Sequence, residues 1–394
     1  MGSLEADDSS GALARDFPRA EHRRWPPRIQ CMSVLLVALA ASVLLTTWLV
    51  HTAARHAFLF ADFDTTGPQK FHRTPVPRVG GIGVLAGLAC GALVLRWHDA
   101  RSGDMALTLL ASGLPAFAAG IAEDVTKSVS PRSRLIFTAV SALVAAALLG
   151  AMIPRTDIPG LDWLVTFGAG SLLLTVLAVT GVANSINLID GFNGLASMCV
   201  LMMLLALCIV SLAVGDSLVL SLALAGLGSV LGFFVWNYPS GRIFLGDGGA
   251  YFLGFFVAEL GVLLLVRNPA VSPLFPLMLV IYPVFETLFS MYRRCVLKGR
   301  PMGLPDGVHL HSLIYRRFVH GDRIAGDKRS LAARNSMTSP YLWALCGLSI
   351  GPALLWWHDS LALSLAIVAF GLLYVSLYWR IVRFRSPRWL SQRR

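Results

Sequence analysis

Residues 184–214 read NSINLIDGFNGLASMCVLMMLLALCIVSLAV, and the change of character partway through decides the kind of protein this is. Asn184, Asn187 and Asp190 recur every three residues, so on a helical turn they share one side. From Leu195 to Val214 no residue is charged. Roughly 20 apolar residues suffice to cross a bilayer's hydrocarbon core, so this run is a membrane span. An aspartate at a span centre costs about 2.5–3.5 kcal/mol on insertion scales. Placed at the edge, Asp190 is tolerated where water, a partner or a metal meets it.

The rest of the chain repeats the pattern. Of 394 residues 56% are hydrophobic and 14% charged, with a mean hydropathy of +0.67. A soluble domain of this size has no core large enough for that much apolar surface. Eleven spans are expected, near 32–50, 79–95, 105–122, 135–153, 163–183, 194–214, 217–236, 248–266, 272–290, 340–357 and 360–379. The fold class is therefore all-α and integral to the membrane. Residues 1–31 form an N-terminal tail expected to be mobile, 32–379 one multi-span domain, and 380–394 a basic tail. No internal repeat is visible. Residues 1–30 do not form a cleavable signal peptide, since the first apolar stretch is span-length and no small-x-small site follows it. The long segment 291–339 is the one extended non-membrane loop; its Leu313–Val319 part reads as a basic stretch lying at the interface, and Gly321–Ser339 as a solvated connector.

Counting spans puts all the polar interruptions on one side. They are Lys70–Gly81, Glu123-Asp124, Asn184–Gly191, Phe244–Gly248 and Asp306–His311. That side carries 24 Lys and Arg against 9 on the other, so it is expected to be cytoplasmic despite five arginines in the N-terminal tail. The net charge of +11 is accounted for by loops lying against anionic lipid. No basic-aromatic run suggests a nucleic-acid surface. The six cysteines show no CxxC spacing and read as small apolar residues.

Asp190 and Asp247 are the strongest candidates for chemistry. Mg²⁺ takes oxygen ligands, one or two carboxylates together with phosphate oxygens and water, and Asn187 could add a carbonyl oxygen. The plainer alternative for Asp247 is a helix cap. In Glu123-Asp124 two adjacent carboxylates raise each other's proton affinity, which suits one to accept a proton or help hold a cation. Lys70, Arg73 and Arg78 could neutralise phosphate charge, with Gly80-Gly81 permitting close backbone approach to a ligand. On an extended segment His309 and His311 face the same way, as donors suited to diphosphate oxygens. Glu259 and Glu286 are intramembrane acids that belong to no sequence cluster. P-loop, zincin and nucleophile-elbow motifs are absent.

In order and spacing these motifs resemble the polyprenyl-phosphate N-acetylhexosaminyl-1-phosphate transferase family of bacterial membrane enzymes, from about Lys70 to His311. Pro75–Gly81 and the His-Leu-His loop are similar to enzymes that start O-antigen or related surface glycans. The Thr-Met-Gly-Gly element and triple histidine typical of the lipid I-forming branch are missing. The resemblance implies Mg²⁺-dependent transfer (Mn²⁺ tolerated) of a sugar 1-phosphate from a UDP-N-acetylhexosamine to undecaprenyl phosphate, releasing UMP, at the cytoplasmic face of the inner membrane. It implies Asp247 as main metal ligand and Asn187 as a second, with Asn184, Asp190, Asn193, Asn237, Phe244 and Arg78 around the nucleotide and metal. Lys70, Glu123, Asp124, Asp190, His309 and His311 take the catalytic positions. Three departures stand out: Glu123 for the first of two aspartates, Asn193 where many members have Asp, and Ser312 for a histidine often found there. Membrane lipids are expected partners, a homodimer is one assembly to test, and nucleic acid is not a partner. The competing classes are a multi-span transporter of an anionic substrate, which would place its site nearer the midplane, and a membrane phosphatase or other lipid-carrier enzyme.

Overall fold

The computed structural model describes residues 28–55, 76–297, 299, 309–319 and 328–383. Lys70, Arg73, the Asp306 end of the histidine loop and most of both tails lie outside the described residues. Among the described residues the fold is all-helical and contains no strand. In chain order the helices are α1 (Arg28–Arg55), α2 (Gly80–His98), α3 (Ala100–Ser112), α4 (Leu114–Thr126), α5 (Pro131–Leu149), α6 (Leu161–Val165), α7 (Gly168–Ile189) and α8 (Leu195–Val214). There follow α9 (Ser217–Asn237), α10 (Gly246–Arg267), α11 (Leu274–Leu279), α12 (Ile281–Tyr292), α13 (Leu310–Ile314), α14 (Lys328–Leu355) and α15 (Ser360–Val382).

Among the described residues, nine spans are long and apolar enough to cross a membrane: α1, α2, the α3–α4 pair, α5, α7, α8, α9, α10 and α15. Two of the expected eleven are not continuous apolar helices of this kind. The 272–290 run is split at Val280 into α11 and α12. Pro283 explains the split, because a proline inside a continuous helix would lose the bond to Leu279 and clash with its carbonyl. In the first turn of a new helix it costs nothing. The 340–357 run is the second half of α14, which starts at Lys328 and carries Pro340 and Pro352 inside it. The "solvated connector" is thus partly wrong: Asn335, Ser336, Thr338 and Ser339 are buried helix residues. Of the Leu313–Val319 stretch, Leu313 to Tyr315 are buried and Arg316 is exposed.

α10 is the central helix. Of its apolar window 89% is buried, against 17% for α15 at the periphery. Glycines allow this. A Cβ on Gly81 of α2 would stand 2.5 Å from the Gly249 Cα, and one on Gly120 of α4 would stand 2.4 Å from the Gly248 Cα. In lipid, helices gain by close van der Waals approach, which small residues permit. The Gly80-Gly81 pair therefore serves helix packing here, with the Gly80 and Gly81 N–H groups donating to the Phe244 and Leu245 carbonyls, both at 2.9 Å. That corrects their reading as a ligand approach. The six cysteines are all free thiols.

Helix directions alternate so that the chain has two polar ends. At one, Pro77 meets Phe244, Asp124 meets Gly248 and Asn193 meets Asn335. At the other, Arg155 meets Pro269 and Val271, and Asp216 meets Arg267.

Candidate active site

The glycine contacts fix where α10 begins, and with it Asp247. Asp247 lies in the first turn but does not cap it, because the N-cap position is Leu245 and no side chain caps there. Its carboxylate instead forms an ion pair with Arg134, in the first turn of α5. The guanidinium also lies 5.8 Å from the ring centre of Tyr251, one turn along α10. The capping is done from across the interface: Asp124 Oδ2 accepts the Gly248 N–H at 3.1 Å. Asp124 Oδ1 is buried and accepts no hydrogen bond. Gly246, at φ +77°, leaves this room, since a Cβ there would stand 2.6 Å from Asp124 Oδ2.

The two adjacent acids diverge. Glu123 Oε2 accepts the Val129 N–H at 2.8 Å and closes its own loop, while Asp124 reaches α10. The extra methylene of Glu123 is used locally.

α7 brings in the amide side. Tyr251 donates its hydroxyl to Asn184 Oδ1 at 3.3 Å. Asn187 stands one turn nearer the polar end, on the same face of α7, and Asp190 follows the last helical residue. Burial pushes the Asp190 carboxyl up to about 7; the Arg78 guanidinium opposes this and the Asp124 carboxylate adds to it. Arg78, Asp124 and Asp190 thus act within one electrostatic neighbourhood.

Two expected binding residues also make loop contacts, and Asn193 Oδ1 is buried without a partner. Asn237 accepts from Gly194 N–H at 2.7 Å and donates to the Ile243 carbonyl at 2.8 Å. Asn193 is fully buried; its N–H donates to Asn335 Oδ1 at 2.8 Å and its side-chain amide to Ser336 Oγ at 3.1 Å. Ser339 Oγ donates to the Asn193 carbonyl at 2.6 Å. Both asparagines hold the loops that carry Asp190 and Phe244. Phe244 is half-buried, and its N–H donates to the Pro77 carbonyl at 2.9 Å.

The histidines close the site. His309 is extended and His311 lies in α13, yet the rings stack with centres 5.2 Å apart and planes at 17°. His311 also meets Phe192 at 5.4 Å. Its Nε2 faces Gly191, where a Cβ would be 3.6 Å away. Burial, then the His309 charge, drives the His311 imidazole down to about 3, with Glu286 opposing, so His311 is neutral. Behind them stands Glu286, which joins no cluster in sequence but does so in the fold. Its two oxygens accept from His309 Nδ1 and the Leu310 N–H on one side and from Tyr374 on the other. Glu259, by contrast, is fully buried with neither carboxylate oxygen hydrogen-bonded.

Arg134, Tyr251, Asn335, Ser336 and Tyr374 carry no motif. The signal available for Glu286 was a lone acid near the end of an apolar run.

Among the described residues, no three His, Cys, Asp or Glu side chains form a cage for an ion. Mg²⁺ does not need one, since it is ordinarily held by one or two carboxylates plus phosphate and water. Asp247 and the unbonded, buried oxygen of Asp124 fit that all-oxygen pattern. Asn187, on the α7 face that meets Tyr251, suits a further carbonyl ligand.

The family model described as glycosyl transferase family 4 matches residues 106–265, from α3 into α10. The chain is similar to a probable undecaprenyl-phosphate N-acetylglucosaminyl 1-phosphate transferase of Bacillus subtilis, 29% identical over 70% of this chain and 76% of the relative. A Thermotoga maritima undecaprenyl-phosphate alpha-N-acetylglucosaminyl 1-phosphate transferase is 30% identical over 70% of this chain and 79% of its own. A phospho-N-acetylmuramoyl-pentapeptide-transferase of Carboxydothermus hydrogenoformans is 28% identical over 63% and 79%.

Proposed function

Because this chain belongs to glycosyl transferase family 4 and is a multi-pass membrane phosphoglycosyl transferase, we propose that it transfers N-acetylglucosamine 1-phosphate from UDP-GlcNAc to undecaprenyl phosphate. UMP is released and a lipid-linked surface glycan is started. The active site faces the cytoplasm, as the excess of Lys and Arg at that end supports. Family membership sets aside the transporter and phosphatase readings.

The observation that carries the proposal is the meeting of Asp124 with the first turn of α10, beside Asp247. It gathers acids, a guanidinium and unbonded oxygen at one polar end. Two anionic substrates must approach each other there, so catalysis is largely charge neutralisation and positioning. Mg²⁺, when bound through Asp247, Asp124 and Asn187, would supply positive charge to the diphosphate.

The lipid phosphate oxygen attacks the sugar-bearing β-phosphorus. The new P–O bond forms as the bond from that phosphorus to the bridging oxygen breaks, and UMP leaves with the bridging oxygen. Asp124 positions the acceptor phosphate or takes its proton. Lys70 and Arg78 balance phosphate charge, and His309 and His311 hold the diphosphate and sugar end. Trapping a phosphorylated Asp190 or Asp124 without acceptor lipid would replace this direct route with a two-step one.

UMP release by purified protein, with undecaprenyl phosphate, Mg²⁺ and a panel of UDP-N-acetylhexosamines, tests the proposal. UMP is expected only with lipid and cation together. UDP-N-acetylmuramoyl-pentapeptide belongs in the panel because of the third relative; turnover with it alone would move the chain to the lipid I-forming branch.

A further inference from the structure

We propose that Glu286, itself held by Tyr374 of the C-terminal helix, is a positioning residue that aims His309 at the sugar-nucleotide. The inference rests on the transferase reading above. Glu286 lies on α12 and is 1% exposed. His309 Nδ1 is 3.2 Å from Oε1, which also accepts the Leu310 N–H at 3.1 Å. Tyr374 donates its hydroxyl to Oε2 at 2.6 Å.

Three donors thus converge on one buried carboxylate. An ionised carboxylate only accepts hydrogen bonds, so the His309 proton toward it sits on Nδ1. Nε2, across the ring, is turned away from Glu286 and left for a ligand. A partner on one ring nitrogen fixes both the tautomer and the ring plane. The Leu310 bond fixes the backbone beside the same ring. Orientation then passes to His311 through the ring stack, and from His311 to Gly191 beside Asp190.

α15 is the support for this arrangement. Tyr374 holds Glu286, and one turn later Tyr378 accepts from Arg293, which follows α12. Both contacts lie beyond the segment 106–265 that the family model matches. The least buried of the candidate spans among the described residues therefore steadies Glu286 and, through it, His309.

The test uses the full chain in lipid nanodiscs. Glu286→Gln keeps the shape but removes the charge, and charge-assisted bonds are about twice as strong as neutral ones. kcat/KM for UDP-sugar is expected to fall about tenfold, the lower end for loss of a histidine's outer partner. The change should lie in the UDP-sugar KM, with the lipid KM and thermal midpoint unchanged. Tyr374→Phe should shift the same KM less, and Glu286→Asp should recover part of the loss. A second readout needs no turnover: the His309 ring N–H proton, assigned by its absence in His309→Gln, should resonate downfield and move upfield in Glu286→Gln. Unchanged KM values in that variant, an unmoved N–H signal, or a loss that merely tracks a lowered thermal midpoint would overturn the inference. If the wild type releases no UMP from any donor, the proposed function fails, and the N–H signal still decides the role of Glu286.

Discussion

At the end of the bundle that holds Arg155, Asp157, Asp216 and Arg267, every described acid has a hydrogen-bond partner. Arg155 Nη1 donates to both Asp157 oxygens at 2.7 and 2.8 Å, and Nη2 donates to two carbonyls of the α10–α11 loop. Asp216 caps α9 and accepts from Arg267 and Asn268. Asp99 and Asp359 cap α3 and α15, Asp104 pairs with Arg96, and Asp162 accepts from Thr156. The opposite end holds Glu123, Asp124, Asp190, Asp247 and Glu286 and leaves capacity over. Asp124 Oδ1 and His311 Nδ1 are buried without a partner, and among the described residues no hydrogen bond reaches the Asp190 carboxylate. Unpaired buried polar atoms are costly. Acids fully paired at one end and short of partners at the other leave capacity for a ligand at the second.

The contrast can be broken first at Asp247. Asp247→Ala should cut kcat by about a thousandfold, the scale of removing one preorganised electrostatic element, while the protein elutes and melts as a folded species. UMP release beside a melting curve measures both. Retained turnover would mean that this end too is structural.

Asp124→Asn should lower kcat about a hundredfold, as expected for loss of a positioned base or charge. The amide oxygen can still cap α10, so thermal stability should stay close to wild type in the same pair of measurements.

Arg155→Met is the control from the satisfied end. It leaves Asp157 with Ser360 as its hydrogen-bond donor and removes the side-chain donor to two carbonyls, and hydrogen bonds to charged groups are worth about 1.5–3 kcal/mol each before solvent screening. A lower thermal midpoint with unchanged kcat and KM per folded molecule is expected. A kinetic defect would show that the two ends are coupled.

The smallest effect concerns Asp190. Burial raises its carboxyl to about 7, so the native state binds a proton that the unfolded chain releases near pH 4. Native stability therefore falls as pH rises between those values. Asp190→Asn lacks this loss. Without substrate or divalent cation, its thermal midpoint should exceed wild type above pH 7, and the gain should vanish below about pH 4.

Much of the fold was legible because lipid imposes one simple rule, a long uncharged run for each crossing. Nine of the eleven expected spans meet it in the structure. The rule fails where proline and polar side chains intervene, at Pro283 between α11 and α12 and in the Ser- and Asn-rich start of α14. Those hydroxyls and amides look solvated in sequence, yet they bury themselves by bonding the Asn193 loop. Within the candidate site, Asp124, Asp190, Asp247 and the two histidines stand out because acids and histidines beside apolar runs are rare. Asn193 and Asn237 stand out equally, and only their hydrogen bonds show that they also support loops.

By itself, then, the sequence determined that this is a helical membrane protein and that its polar motifs gather at one face. Local composition is enough for this, since burying charge in hydrocarbon is so unfavourable. Only the tertiary structure decided that Asp124 caps α10, that Glu123 does not, that Arg134 faces Asp247, and that Tyr374 and Glu286 stand behind His309. These are contacts between helices far apart in the chain. Backbone approach at glycines and the geometry of individual donors and acceptors select them, and neither is written in any one segment.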